Sequence, residues 1–216
     1  MNILYSDDQI IVVDKPAGMP VLPDGWEENA PYMVKELEGQ FEKIWIVHRL
    51  DKVTSGVMVF ARTAEAHRNL SVQFEKHLVE KVYRAIANGD PNWDEKTAKY
   101  PLRINVGHSH RTAVDPRKGK SSETHFTVLE RFTEYFLLEA NPMTGRTHQV
   151  RVHAYALSHP LLGDTLYSAP KTNLIKRPAL HAESLTFTNP SDDNRMTFHS
   201  PYPADFELAL KKCRGD

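Results

Sequence analysis

Two short runs in this chain bring together side chains that could do chemistry. The first is His48-Arg49-Leu50-Asp51, followed by Thr54-Ser55-Gly56. An ionised carboxylate can attack as a nucleophile, and imidazole and guanidinium can move protons or balance charge. The run sits between two apolar stretches, Ile44-Trp45-Ile46-Val47 and Val57-Met58-Val59-Phe60-Ala61, which read as buried strands. His, Arg and Asp at the end of a buried strand are costly unless they are paired or open to a cleft. Placement there points to chemistry rather than architecture.

The second run is Thr144-Gly145-Arg146-Thr147-His148-Gln149, continuing to Arg151 and His153. Gly145 ahead of a helix start would let the backbone approach a neighbour closely, and Arg146 would project from the first turn. An arginine beside a carboxylate favours its ionised form, so Arg146 is a candidate partner for Asp51 across the sequence gap. His148 and His153 lie five apart and do not share a helical face. Zincin-type pairs lie four apart with a glutamate between them, so no metal site is expected here.

Two look-alikes fail on spacing. A protein-kinase catalytic loop has Asp directly after Arg and an Asn five residues beyond the Asp. Leu50 intervenes here, and the fifth residue on is Gly56. Gly119-Lys120-Ser121 resembles the end of a phosphate-binding P-loop, but the earlier glycine that motif needs falls on Val114.

Stepping outward, an opening hairpin is expected from Leu4-Tyr5 and Ile10 to Val13 around Ser6-Asp7-Asp8, ended by Lys15-Pro16-Ala17-Gly18. A weak helix is expected over 31–38. Thr63 caps a second helix running to about Leu78, with Ala66, Leu70, Phe74 and Leu78 as its apolar stripe. Strands are expected at 82–87, 100–104, 125–131 and 135–140, with loops over 88–98 and 105–122. The turn Asn141 to Gly145 leads into a helix from about Thr147 to Leu157, burying Val150, Ala154 and Leu157. A last hairpin is expected at 180–188 and 195–199, then a short helix over 206–212. Many strands and few helices indicate an α+β fold, a largely antiparallel mixed sheet flanked by helices and long loops, in one domain over 1–216.

The 216 residues are 40% hydrophobic and 25% charged, the balance of a globular protein. No apolar run approaches the roughly 20 residues that span a bilayer, and the N-terminus lacks the features of a signal peptide. The only cysteine is Cys213, which leaves no internal disulfide and no cysteine-based zinc site. A cytoplasmic location is the expectation. Net charge is −1, yet Lys99, Arg103, Arg111, Arg117, Lys118 and Lys120 face a single acid, Asp115, between residues 99 and 120, with His108 and His110 alongside. The stretch from Asp24 to Glu42 is acidic by contrast. Such asymmetry suits one electropositive face able to hold a phosphate backbone; the alternative is a solvated loop.

Taken together, the motifs closely resemble the RluA-type pseudouridine synthases. The family's His-Arg-Leu-Asp-x-x-Thr-Ser-Gly block is matched from His48 to Gly56. Its Lys-x-Tyr block is matched by Lys81-Val82-Tyr83, and its Gly-Arg-Thr-His-Gln-x-Arg-x-His block from Gly145 to His153. Blocks at Lys15 to Gly18, Leu162 to Tyr167 and Leu180 to Glu183 complete six, in the family's order. Where relatives often have His-Pro after the late strand, this chain has Asn189-Pro190. Many relatives carry an N-terminal S4-type RNA-binding domain; none is expected here, so RNA contacts fall to the catalytic domain.

The resemblance implies a pseudouridine synthase fold acting as a monomer on ribosomal RNA, transfer RNA or both, with no membrane and no cofactor. Uridine loses its C1′–N1 bond and gains a C1′–C5 bond, without oxidation. Asp51 is implied as nucleophile, with attack at C1′ or C6 both open, and Arg146 as its partner. Tyr83 is implied to stack on the uracil and help remove the C5 proton. The uridine must flip out of its stack, and Arg49 fills the vacated space. His48, Thr54, His148, Arg151 and Leu180 are expected around the substrate, and Arg111, Arg117, Lys118 and Lys120 on the RNA backbone; no metal ligands are expected. The competing readings are a catalytically idle RNA-binding protein on the same fold, and a glycosidase, which would need a second carboxylate.

Overall fold

The structure, a computed structural model, describes residues 1–23, 30–107 and 111–215. Part of the acidic stretch from Asp24, and both His108 and His110, lie outside the described residues. The chain divides into two compact units, Met1–Lys81 with Ala182–Pro201, and Val82–His181 with Tyr202–Asp216.

In the first unit, β1 (Asn2–Ser6) and β2 (Ile10–Lys15) form the expected hairpin. Asp7 closes it by accepting the backbone N–H groups of Gln9 and Ile10. The run Ile10 to Val13 is completely buried, which explains a strand with no polar alternation. Next to β2 runs β4 (Ser55–Ala61), buried at every position, antiparallel to β2 and followed in the sheet by β11 (Leu180–Thr188). β12 (Arg195–His199) pairs with β11. Of the apolar run 44–47, only β3 (Trp45–Ile46) pairs, antiparallel to β4. Helix α1 (Met33–Glu38) lies where expected. Helix α2 (Ala64–Glu75) starts at Thr63, whose hydroxyl accepts the Ala66 N–H. It stops a turn earlier than the apolar stripe suggests, because His77 takes a left-handed φ of 57°. Ala66 and Leu70 are buried, while Leu78 is left exposed.

In the second unit, β5 (Glu80–Asn88), β10 (Tyr135–Pro142), β9 (Thr124–Arg131) and β6 (Glu95–Ala98) pair in that order, all antiparallel. β6 lies in a stretch expected to be loop. Only Ala98 of its four residues is buried, so it carries no hydrophobic signal. The long polar excursion also conceals a strand: β7 (Leu102–Val106) and β8 (Arg111–Val114) form a separate two-stranded ribbon. Its burial rests mainly on Leu102 and Thr112, too little for a sequence pattern. Helix α3 (Gln149–Ala156) and helix α4 (Ala204–Arg214) pack on this unit. Phe206, Ala209 and Leu210 of α4 join Ile86, Leu137 and Leu162 in one buried cluster. The expected α+β class, with a largely antiparallel sheet, is what the strands form.

Candidate active site

The Asp51 loop is held from beneath by a lysine. Lys15, at the end of β2, is fully buried, and its ammonium donates to the carbonyls of Pro16 (2.9 Å), Lys52 (3.1 Å) and Thr54 (2.7 Å). Two of those carbonyls lie just after Asp51 in the chain. A buried ammonium with three acceptors is compensated for its lost hydration, and in return it fixes the backbone it grips. The Gly18 N–H also donates to Lys52 O at 2.8 Å, and the Thr54 N–H to Asp51 O at 3.0 Å, closing a turn. Asp51 itself is half-buried and Arg49 exposed, while Leu50 is sunk in the core.

His48 anchors the other end of this loop. Its Nε2 accepts the Val59 N–H at 3.1 Å, and its ring stacks on Phe74 with centroids 4.5 Å apart. Burial, then the nearby Lys81 charge, lowers its pKa to about 3, so the ring is neutral, as an accepting Nε2 requires. The sequence placed His48 near substrate; its contacts are with β4 and α2. Burial likewise brings the Lys81 ammonium down to about 8.

Thr54 was also expected at the substrate, but it is 2% exposed, and its hydroxyl has no hydrogen-bond partner among the described residues. Ser55 and Gly56 are the first residues of β4. Gly56 has φ 119°, and a Cβ there would lie 2.1 Å from the Ala182 carbonyl oxygen. The glycine is therefore required by strand-to-strand approach.

Tyr83 lies in the second unit on β5, two residues after Lys81, paired in register with Ala140 and packed partly buried against that unit's core. Its neighbour Arg84 forms an ion pair with Glu139 of β10. Arg146 lies in an exposed loop organised by Gln149, the first residue of α3. The Gln149 Oε1 accepts the Arg146 N–H (3.0 Å) and the Thr144 hydroxyl (2.6 Å). Its Nε2 donates to Glu123 O (2.9 Å) and Thr124 Oγ1 (3.0 Å). The Arg146 Nε donates in turn to Ser121 O at 3.4 Å. Helix α3 begins two residues later than expected, because His148 takes a left-handed φ of 55°. Gly145 meets nothing at its Cβ position, so no close approach requires it.

Arg151 and Leu180, expected around the substrate, lie in the interior. The Arg151 guanidinium is buried in a two-bond pair with Asp164, Nε to Oδ2 at 2.7 Å and Nη2 to Oδ1 at 2.8 Å. Leu180 is a core residue, 3% exposed. A side chain committed in this way to the interior serves the fold. His153 is also fully buried, its Nδ1 2.9 Å from Thr124 Oγ1 and its Nε2 3.1 Å from Ser122 Oγ. Burial lowers its pKa, against an opposing hydrogen bond to Tyr100 O. Of the basic candidates, Arg117, Lys118 and Lys120 are exposed and Arg111 half-buried. Asp115 accepts the backbone N–H groups of Arg117 (3.0 Å) and Lys118 (2.9 Å), which shapes the turn that displays them.

Lys15, Gln149, Asp164 and Tyr167 are the supporting residues that sequence reasoning did not assign. The signals were membership of the motif blocks for all four and, for Lys15, a charge ending the apolar run of β2.

Among the described residues, no cluster of three or more His, Cys, Asp or Glu could hold a metal, and no helix is long and apolar enough to cross a membrane.

Comparison with known proteins gives this site a context. Residues 9–156 match the family described as RNA pseudouridylate synthase. An uncharacterized RNA pseudouridine synthase of Mycobacterium bovis is 42% identical over 229 residues, covering all of this chain and 74% of that protein. The dual-specificity RNA pseudouridine synthase RluA of Escherichia coli is 39% identical over 206 residues, covering 94% of this chain and 93% of that protein. The solved structure of human RNA pseudouridylate synthase domain containing 4 superposes with a TM-score of 0.79 at 26% identity, covering 98% of this chain and 92% of that one. With the Asp51, Tyr83 and Arg146 blocks all inside or at the heart of the matched span, the chain belongs to the RNA pseudouridylate synthase family.

Proposed function

We propose that this protein isomerises uridines in structured ribosomal RNA, transfer RNA or both, with Asp51 as the nucleophile. The observation that carries the assignment of Asp51 is the way its loop is held. A buried lysine grips the carbonyls of Lys52 and Thr54, and His48 fastens the start of the loop to β4. Catalysis by positioning needs a carboxylate whose backbone does not wander. The roles of Tyr83 and Arg146 rest on the family blocks they occupy.

In the reaction, C1′–N1 breaks, C1′–C5 forms, C5 loses a proton and N1 gains one. Asp51 attacks in its ionised form at C1′ or C6, with Arg146 as its cation. The Tyr83 ring stacks on the flipped uracil, and its hydroxyl assists departure of the C5 proton. Flipping the base costs a few kcal/mol, and Arg49, exposed beside Asp51, fills the space left in the RNA. Arg111, Arg117, Lys118 and Lys120 hold phosphates. The near end-to-end match to a dual-specificity relative favours both RNA classes as substrates and disfavours an idle binding protein. Action as a monomer in the cytoplasm fits this reading. Mapping pseudouridine in total RNA from cells with and without the gene tests it. Loss of defined ribosomal or transfer RNA sites is expected, and an unchanged map would overturn it.

A further inference from the structure

The ribbon β7–β8 and the loop carrying Arg146 meet at one buried hydroxyl, that of Tyr167, which is 1% exposed. The Tyr167 oxygen accepts the Thr112 N–H at 3.1 Å and donates its proton to the Thr112 carbonyl at 3.1 Å. His148 Nδ1 lies 2.9 Å from the same oxygen. With the phenol proton on the Thr112 carbonyl, which can only accept, a lone pair of Tyr167 faces His148 and takes a proton from its Nδ1. His148 is thereby held with hydrogen on Nδ1. The other histidine of this block is set the other way. The Tyr100 carbonyl, which can only accept, lies 3.2 Å from His153 Nε2, so the proton belongs on Nε2, and Nδ1 is left to accept from the Thr124 hydroxyl 2.9 Å away.

The Tyr167 ring is itself fixed. The Arg151 guanidinium lies 5.1 Å from its centroid and is paired with Asp164. On one side of the hydroxyl is Thr112, buried in β8 beside Arg111 and ahead of Arg117, Lys118 and Lys120. On the other is His148, two residues after Arg146 and in a left-handed conformation that a non-glycine residue holds only when its surroundings demand it.

We propose that Tyr167 is a positioning residue whose hydroxyl, through the Nδ1–H form of His148, ties the basic ribbon to the Arg146 loop. RNA phosphates held by the ribbon and the uridine presented to Arg146 then keep one register. The consequence for RNA rests on the function proposed above; the tautomer does not.

The test uses the full chain and Tyr167→Phe, which keeps the ring over which Arg151 sits and removes the hydroxyl. Imidazole 15N–1H spectra of the free protein, with His148 assigned by its loss in His148→Gln, read the tautomer without RNA. The wild type is expected to show Nδ1–H at His148, and Tyr167→Phe to move it toward Nε2–H. Single-turnover pseudouridine formation on ribosomal and transfer RNA should slow roughly tenfold in Tyr167→Phe, with RNA affinity within about twofold, since a misplaced group costs rate before binding. Nε2–H in the wild type, an unchanged tautomer in the variant, or an unchanged rate overturns the proposal. A wild type that makes no pseudouridine overturns the function above, while the spectra still decide whether Tyr167 sets His148.

Discussion

Replacing Arg151 with Met is expected to damage the fold and leave RNA recognition alone. The guanidinium is 4% exposed and Asp164 1% exposed, and two hydrogen bonds of 2.7 and 2.8 Å join them. Met keeps most of the aliphatic stem but leaves the Asp164 carboxylate buried without its cation. Stranding one member of a buried pair costs about 3–5 kcal/mol. For a chain of this size each kcal/mol is worth roughly 2–4 °C in melting temperature, so a fall of roughly 10 °C is expected. Urea unfolding measures the free energy directly, and an unchanged m-value confirms that the comparison is between like states. Arg151→Met combined with Asp164→Leu should cost clearly less than the sum of the two single changes, because the second removes the orphaned charge. RNA affinity of the folded Arg151→Met protein should match the wild type. A stability loss below about 1 kcal/mol, or a large loss of RNA affinity at unchanged stability, would refute the structural role and return Arg151 to the substrate.

Three further outcomes follow from the geometry. Gly56→Ala should destabilise by about 3 kcal/mol or more, from positive-φ strain and a backbone clash with Ala182 that no side-chain motion relieves; a chemical melt within about 1 kcal/mol of wild type would contradict it. His48 is neutral when folded, with a pKa of about 3 against 6.5 unfolded, so its contribution is full above pH 6.5 and drains away as pH falls toward 3. Between pH 7 and pH 5 that share is about 2 kcal/mol, and His48→Gln should flatten the pH dependence of stability by this amount; an identical slope would exclude it. Lys118→Ala with Lys120→Ala should weaken RNA binding and reduce its salt dependence, the slope of log affinity against log salt falling by roughly 2; unchanged binding isotherms would remove this turn from the RNA interface.

The strands that were legible in the sequence are those buried on both faces or bounded by sharp turns. β2 and β4 carry unbroken apolar runs, and Asn141-Pro142 ends β10. β6 and β8 were invisible because their burial rests on single residues, Ala98 and Thr112. The extra turn expected of α2 failed for a related reason. Leu78 continues the four-residue spacing, but the backbone has already left the helix at His77. In the candidate site, the chemical types of Asp51, Arg49 and Arg146 were readable from their blocks. What each motif position does was less so. His48, Arg151 and His153 are as polar as their neighbours, and only burial and partners separate a side chain that holds the fold from one offered to substrate. The hydrogen-bonding of Lys15 was hidden for the same reason, since three backbone carbonyls have no sequence signature.

The measurement that bears most directly on the account is pseudouridine formation by Asp51→Asn, an isosteric change that removes the nucleophilic charge. Ribosomal and transfer RNA would be incubated with equal amounts of wild-type and variant protein, with RNA affinity and melting temperature measured alongside. The account predicts no detectable pseudouridine from the variant, with RNA binding and stability close to wild type. Turnover near the wild-type rate would contradict the assignment of Asp51.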